Sequence, residues 1–445
     1  MLRWMSKYIF FPLWEIKDGA SRRRYLYELS KSQWNQGSDY RREQWTQLQA
    51  IVEYARKHCS YYQKSLASLG LEEGLRDWSQ FYMLPILTKH DIRSNIEGLL
   101  SDEFNLSDLV EARTGGSTGT ALTVYADQVC QQMRNAAAMR SDRWAGWDIG
   151  MKVAAVWGNP PEANTIKKKM RSSLLDRTIY LDTMKIDEEA VKAFIRKWRM
   201  YRPQLIFGHA HSIYVLAKYL ERLECKHIRP AGIIATSMML LESERVAIER
   251  ILGCPVTNRY GCEEVGLIAC ECESHNGLHL NADHLIVEFL REDGTEAGPG
   301  EEGQIVVTDL INHGMPLIRY QVGDIGVPSA RSCPCGRGLP LMERVTGRRA
   351  DFLKRVDGSL VAGVSLVERT LTAIPGIEQM QLIQDDLRHV CVQVVKTQEF
   401  NAESEQCLSN ELQSVFGNET TIEVRCVSSL DRTSSGKYRF SICRV

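Results

Sequence analysis

Between Met151 and Gly253 the chain alternates short apolar runs with longer amphipathic ones, and no other feature narrows its fold as much. MKVAAVWG, PQLIFG and AGIIATSM read as strands, and AVKAFIRKWRMY, SIYVLAKYLERL and ESERVAIERILG as the helices that separate and follow them. A strand that is apolar throughout must be covered on both faces, and a helix buries one stripe, so the two kinds of element have to stack in layers. The expected class is α/β.

The flanking regions differ. In REQWTQLQAIVEYARKHCSYYQKSL, residues Trp45, Leu48, Ile51, Val52 and Ala55 recur at three- and four-residue steps, one face of a helix. In LPILTKHDIRSNIEGLL, Pro85 ends one segment and Thr88 stands as a helix N-cap with Asp91 three residues on. After about residue 278 the pattern turns to strands. HLIVEFL and QIVVTDL flank the turn REDGTEAGPGEEG and should pair antiparallel. Beyond Gly347 a compact unit carries its own signals in ERTLTAI, HVCVQVV, CLSNELQSVF and TIEVRCV. The expected division is a large part at 1–347, with a helical start at 1–105, and a small α+β part at 348–445.

At 445 residues there is chain for two to four domains and a large core. Lys and Arg number 55 against 56 Asp and Glu, so charge gives no reason to expect nucleic acid or an anionic membrane as the main partner. Thirteen cysteines are an odd number spread over a long chain, which argues against a disulfide scaffold and for a reduced, cytoplasmic setting. The apolar run Tyr8–Trp14 is broken by Pro12 and too short to span a bilayer, and no stable membrane insertion is expected. A packed amphipathic start is the expectation for Met1–Trp14, with contact to a membrane or partner surface as the alternative. A homodimer is left open.

Five short segments carry chemistry. RTGGSTGTAL offers Thr114, Gly115, Gly116, Ser117, Thr118, Gly119 and Thr120, whose amides and hydroxyls can approach a phosphate closely. Taken alone, such a loop is more often a plain connection. NRYGCEEVG brings Glu263 and Glu264 after the Tyr260–Gly261 turn, and carboxylates suit Mg²⁺; two solvated glutamates are the bland alternative. LIRYQVGDIG places Asp324 after Gly323, where a carboxylate can bond its own backbone or accept from ribose hydroxyls. VTGRRADFLK sets Arg348 and Asp351 at the edge of the small unit. DRTSSGKYRF sets Lys437 on a Ser/Gly turn, where it is either a tail charge or the neutraliser of a phosphate in a transition state.

Their order resembles the adenylate-forming superfamily of acyl- and aryl-CoA ligases, luciferases and peptide-synthetase adenylation domains. TGGSTGT is similar to its phosphate loop, YGCEE to its Tyr-Gly-x-x-Glu segment, RYQVGD to its ribose-binding Gly-Asp, GRRAD to its hinge and RTSSGK to its terminal lysine motif. IVEYARKHCSYYQ and LPILTKHDIR resemble the phenylacetate–CoA ligase-like branch, which includes capsule-biosynthesis homologues. The resemblance implies a large N-terminal domain of layered sheets and helices and a small, mobile C-terminal domain. It implies that Ser117, Thr118 and Gly119 hold the β- and γ-phosphates of ATP, that Tyr260 lies against adenine, and that Glu264 binds Mg²⁺. Asp324 would accept from the ribose hydroxyls, Lys437 would contact the substrate carboxylate and α-phosphate, and Arg348 and Asp351 would work at the hinge. The implied activity is ATP-dependent activation of a small-molecule carboxylic acid as its adenylate, then transfer to CoA. An amine or sugar acceptor, or a non-catalytic scaffold, is the alternative. Two departures stand out. Glu263 occupies the position where the family has Ser or Thr, and Ser237 and Met238 replace a Gly-Ala or Gly-Glu adenine-facing pair.

Cys270, Cys272, His275 and His279 cluster in IACECESHNGLHL, and Cys333 and Cys335 in SCPCGRG. Thiolate and imidazole are the donors Zn²⁺ prefers, four of them closing a tetrahedral site. Reduced core cysteines are the alternative. Similar residues hold a structural zinc in some relatives, which points to Cys272, His279, Cys333 and Cys335, with Cys270 and His275 as substitutes, inside a stapled subregion at 262–340. Lys167, Lys168, Lys169 and Arg171 read as a solvated helix face or a site for the CoA 3′-phosphate. His209 and His211 follow a strand, where relatives place acyl-pocket residues or where they are simply structural. No G-x-S-x-G elbow supports a serine hydrolase.

Overall fold

The computed structural model describes residues 2–113, 122–157, 165, 170–183, 186–348, 352–358, 360–430 and 439–445. The helical start comprises α1 (Leu2–Met5), a π turn (Ser6–Phe10), α2 (Phe11–Lys17), α3 (Arg22–Ser32), α4 (Gly37–His58), α5 (Ser60–Ser68), α6 (Trp78–Met83), α7 (Lys89–Ser94) and α8 (Ile96–Leu99). Thr88 caps α7: its Oγ1 accepts from the Asp91 amide at 3.2 Å and Asp91 accepts from the Thr88 amide at 2.8 Å. The periodic segment around Val52 differs from a single helix. Cys59 is extended, at φ −126° and ψ 113°, and the chain restarts as α5. Both helices still feed one core, Leu48, Ile51, Val52 and Ala55 from the first, Tyr62 and Leu66 from the second. Apolar periodicity therefore continues through a change of direction.

A short pair, β1 (Val110–Arg113) and β2 (Thr123–Ala126), precedes α9 (Gln128–Trp144). The alternating region then runs β3 (Val153–Trp157), β4 (Thr178–Asp182), α10 (Glu188–Tyr201), β5 (Leu205–His209), α11 (Ala210–Arg222), β6 (Gly232–Thr236), α12 (Glu242–Leu252) and β7 (Val256–Cys262). β8 (Gly266–Glu271), β9 (Leu278–Leu280), β10 (Leu285–Leu290), β11 (Gly303–Asp309), β12 (Tyr320–Ser329) and β13 (Leu341–Arg348) follow. One eleven-stranded sheet holds them in the order β10-β11-β12-β13-β9-β8-β7-β6-β5-β3-β4. From β4 to β7 the pairings are parallel; from β7 to β10 every pairing is antiparallel. β7 is therefore a seam, parallel to β6 on one side and antiparallel to β8 on the other. HLIVEFL and QIVVTDL pair as β10 and β11, with Leu285 opposite Asp309.

The remaining chain forms β14 (Phe352–Lys354), β15 (Leu360–Ala362), α13 (Gly363–Ala373), β16 (Ile377–Asp386), β17 (His389–Lys396), α14 (Ala402–Phe416), β18 (Thr421–Cys426) and β19 (Ser441–Cys443). Four of these strands make a separate sheet, β18-β17-β16-β19. Its core gathers Leu353, Val367, Met380, Leu382, Val392, Leu408 and Leu412, with Leu241 of the larger part packed into it. The class is mixed α/β with a C-terminal α+β unit. No helix among the described residues is long and apolar enough to cross a membrane.

Candidate functional site

The seam strand β7, the turn after it and β12 gather three of the expected residues. Tyr260 lies on β7, Glu264 in the turn from β7 to β8, and Asp324 on β12. The Tyr260 hydroxyl donates to Asp324 Oδ2 at 2.8 Å, bridging strands that are not neighbours in the sheet. Glu264 is only 3% exposed, whereas Glu263 beside it faces solvent, so the two carboxylates are separated by environment. Gly261 has no room for a side chain, since a Cβ there would stand 2.5 Å from the Gly266 carbonyl oxygen. Asp324 is paired in register with Arg348 on β13.

Three residues that sequence reasoning passed over surround Glu264. Tyr320, fully buried, donates its hydroxyl to Glu264 Oε1 at 2.8 Å. Burial and the adjacent carboxylate push the Tyr320 phenol far above its ordinary value, so it stays the donor. Lys89, the first residue of α7, brings Nζ to 3.8 Å from the same oxygen. From α9, Arg134 donates to the Glu264 carbonyl at 2.8 Å and to Asp309 Oδ2 at 2.5 Å. Its aliphatic stem fills the space over Gly266, which sits at φ +78°. A signal for Tyr320 was available: on β12, Tyr320, Val322 and Asp324 are two residues apart and share one buried face.

Several expected residues lie outside the described ones: Thr114, Gly115, Gly116, Ser117, Thr118, Gly119, Thr120, Asp351 and Lys437, as do Lys167, Lys168 and Lys169; for Arg348 the backbone alone is described. Arg171 pairs with Asp176 at 3.6 Å. Ser237 closes β6 in the left-handed region at φ +63°, and Met238 packs against the cores of both the large and the small part. His209 ends β5, buried, with its ring 4.2 Å from that of Trp157. His211 Nδ1 is bonded to buried Glu244 at 2.5 Å.

A second cluster lies at the β9–β13 junction. Cys272, His279, Cys333 and Cys335 bring one donor atom each to within 4.8 Å of one another. Cys272 Sγ and Cys333 Sγ are 3.5 Å apart, and Cys335 Sγ is 3.3 Å from His279 Nε2. A tetrahedral Zn²⁺ with bonds of about 2.3 Å to sulfur sets donors roughly 3.8 Å apart, so the four fit such an ion with small adjustments. The outer contacts fit too. His279 Nδ1 is 3.1 Å from the Leu339 carbonyl, which leaves Nε2 as the ring's ligand atom, and the Ser274 and Arg337 amides donate to Cys272 and Cys335 at 3.4 Å each. Burial holds His279 neutral, its pKa lowered to about 4, and pushes the Cys272 thiol up to about 12. At Cys335 burial is outweighed by hydrogen bonds from Arg337, and that thiol sits below its ordinary value. The proposed substitutes stand apart: Cys270 Sγ donates to the Glu271 carbonyl at 3.3 Å, and His275 Nδ1 lies 3.3 Å from the Glu271 carboxylate.

Residues 353–444 match the family model of the CapK C-terminal domain. The chain is 24% identical to Protein CapK of Staphylococcus aureus, over 89% of this chain and 88% of that protein. It is 25% identical to a phenylacetate-coenzyme A ligase of Thermus thermophilus, over 74% of each. Among solved structures, 2-hydroxyisobutyryl-CoA ligase in its postadenylation state, in complex with an acyl-AMP, aligns with a TM-score of 0.70 at 17% identity, covering 89% of this chain and 88% of that one. In sequence the chain is thus similar to CapK and to phenylacetate-coenzyme A ligases, and its fold is shared with 2-hydroxyisobutyryl-CoA ligase, which supports its resemblance to the phenylacetate–CoA ligase and CapK branch of the adenylate-forming superfamily.

Proposed function

We propose that this chain is an ATP-dependent, AMP-forming ligase that activates a carboxylic acid as its acyl or aryl adenylate and passes the acyl group to CoA. The observation that carries the reading is the gathering of Tyr260, Glu264 and Asp324 at the seam. That edge of a sheet, at the carboxyl ends of its parallel strands, is where α/β folds bind nucleotides. In this reading Thr114–Thr120 cradle the β- and γ-phosphates, Tyr260 and Gly261 face adenine, and Asp324 accepts from the ribose. Glu264 would ligate a Mg²⁺ that offsets charge on the triphosphate.

Two anions must meet in the first step. The substrate carboxylate oxygen bonds to the α-phosphorus as the bond to pyrophosphate breaks, and Lys437 with the loop amides lowers the repulsion. A thiolate then attacks the acyl carbon and AMP leaves. Arg348 and Asp351 would let the small domain turn between the steps, withdrawing Lys437 from the second. An amine or sugar hydroxyl as acceptor is the second reading, which the resemblance to capsule-biosynthesis homologues suggests. A structural Zn²⁺ on Cys272, His279, Cys333 and Cys335 is part of the same proposal.

ATP–pyrophosphate exchange across a panel of carboxylic acids tests the first step. Exchange with at least one acid, abolished by Lys437→Ala while transfer from a supplied acyl adenylate persists, is the expected result. Background exchange across the whole panel would overturn the ligase reading in favour of a scaffold. AMP release stimulated by CoA, against an amine or sugar, separates the two acceptors.

A further inference from the structure

The segment from α1 through the π turn to α2 is anchored inward by buried polar side chains, with Phe11 packed beside them on a buried apolar cluster. Ser6 is fully buried and its Oγ donates to the Leu174 carbonyl at 2.6 Å. Lys7 pairs with Asp148, and Glu15, 3% exposed, accepts from the Arg23 amide at 2.9 Å. The outward side is apolar. Trp4 is 59% exposed, Tyr8 56%, Leu13 59% and Ile16 73%. Trp4, Tyr8 and Ile16 fall at multiples of four residues, and the first two rings are 5.5 Å apart. A helix that merely covers a water-soluble body does the reverse, burying its apolar stripe. The polar anchors fix this orientation, because turning the helix over would strand Ser6 and Glu15.

Charge says what this face meets. Residues 1–31 hold seven Lys and Arg against three Asp and Glu, in a chain whose net charge is −1. Cations sit on aromatics of this face: Lys17 Nζ is 5.4 Å from the ring centre of half-buried Trp14 and Lys31 Nζ 4.3 Å from that of Tyr27, itself 61% exposed. Arg171 joins from outside the segment, 6.0 Å over Trp14. Exposed Trp and Tyr rings, aliphatic side chains and basic residues on one short helical face are the composition of a segment lying in a bilayer's headgroup layer. A two-fold pairing of this face with itself would set two basic surfaces against each other.

We propose that this face docks side-on onto an anionic lipid surface, with Trp4, Tyr8, Leu13 and Ile16 at the acyl boundary and the surrounding basic residues on headgroup phosphates. The helix lies on the bilayer without crossing it, and the sheet and its site stay in water.

The test is co-sedimentation of the full chain with sucrose-loaded vesicles of phosphatidylcholine alone or mixed with phosphatidylglycerol. The chain should pellet with the mixed vesicles, stay in the supernatant with phosphatidylcholine alone, and be partly released by salt. Trp4→Ser with Leu13→Ser and Ile16→Ser should abolish pelleting without moving the thermal unfolding midpoint, since these side chains already face water. Lys17→Glu with Lys31→Glu should weaken it independently. No pelleting on mixed vesicles, or pelleting that survives both sets of changes, would overturn the proposal. So would a dimer by light scattering that the triple-serine variant converts to monomer, which would give the face to a second copy.

Discussion

Tyr320 donates its phenolic proton to Glu264 at 2.8 Å, wholly out of water, and so fixes which way the carboxylate at the seam points. Lys89 at 3.8 Å approaches the same oxygen from the helical start. A carboxylate meant to receive a metal gains from being held before the metal arrives. Tyr320→Phe removes the donor and leaves the ring. Stability should fall by about 1 kcal/mol, the usual net worth of such a bond, while pyrophosphate exchange should drop more steeply and need more Mg²⁺ to saturate. A Mg²⁺ titration of exchange with an unchanged midpoint would show that Tyr320 does not position Glu264.

Arg134 ties the Glu264 turn to β11 through Asp309, and both partners are almost fully buried. Removing one charge strands the other, which typically costs about 3–5 kcal/mol. Arg134→Met should therefore lower the unfolding free energy from urea titration by that order, and adding Asp309→Asn should recover part of the loss. Non-additivity in that double-mutant cycle is the measurement; strictly additive losses would mean that the pair is not coupled.

These partners explain what was legible in the chain and what was not. The strand–helix alternation from Val153 to Leu252 follows from local periodicity, and the strands and helices read there all reappear; β4 (Thr178–Asp182), which pairs with β3 at the sheet's edge, was not read. Tyr260, Glu264 and Asp324 were visible because they sit in two short motifs, NRYGCEEVG and LIRYQVGDIG. Arg134 stands 130 residues before Glu264 in sequence and Lys89 still further, and nothing local marks either as its neighbour. Arg134 looks like any helix arginine until its helix is laid on the sheet. The Cys-x-Cys and Cys-Pro-Cys spacings named the donors, yet their meeting depends on β9 pairing with β13, with His279 opposite Leu341. Long-range register is the information that spacing lacks.

With a metal bound, that register would make the cysteine cluster a staple. The turn at Cys333–Gly338 is joined to the helical start through Gln33, whose carbonyl accepts from the Gly338 amide at 3.0 Å and whose side chain accepts from Arg337 at 3.1 Å. Metal analysis of the purified chain should give one zinc per molecule. Chelation or Cys333→Ser should release it and lower the thermal midpoint, because a metal that binds the folded state alone stabilises it by mass action. A protein free of zinc with an unchanged midpoint after chelation would remove the ion from the account.

His284, between β9 and β10, supplies a test in pH. It is fully buried and neither ring nitrogen has a hydrogen-bond partner among the described residues. Burial lowers its pKa from 6.5 to about 4, with Arg140 and Arg134 acting in the same direction and Asp309 and Asp283 against it. The folded chain thus refuses a proton that the unfolded chain accepts. Its contribution is complete above pH 6.5, is lost as pH falls from there to about 4, and amounts to about 3 kcal/mol. Unfolding free energy should therefore rise with pH across that window. His284→Leu should flatten the rise, leaving only the slope due to other groups. An identical slope in the variant would show that the ring takes up its proton in the folded chain, through an opening of the β9–β10 connection that admits water to it.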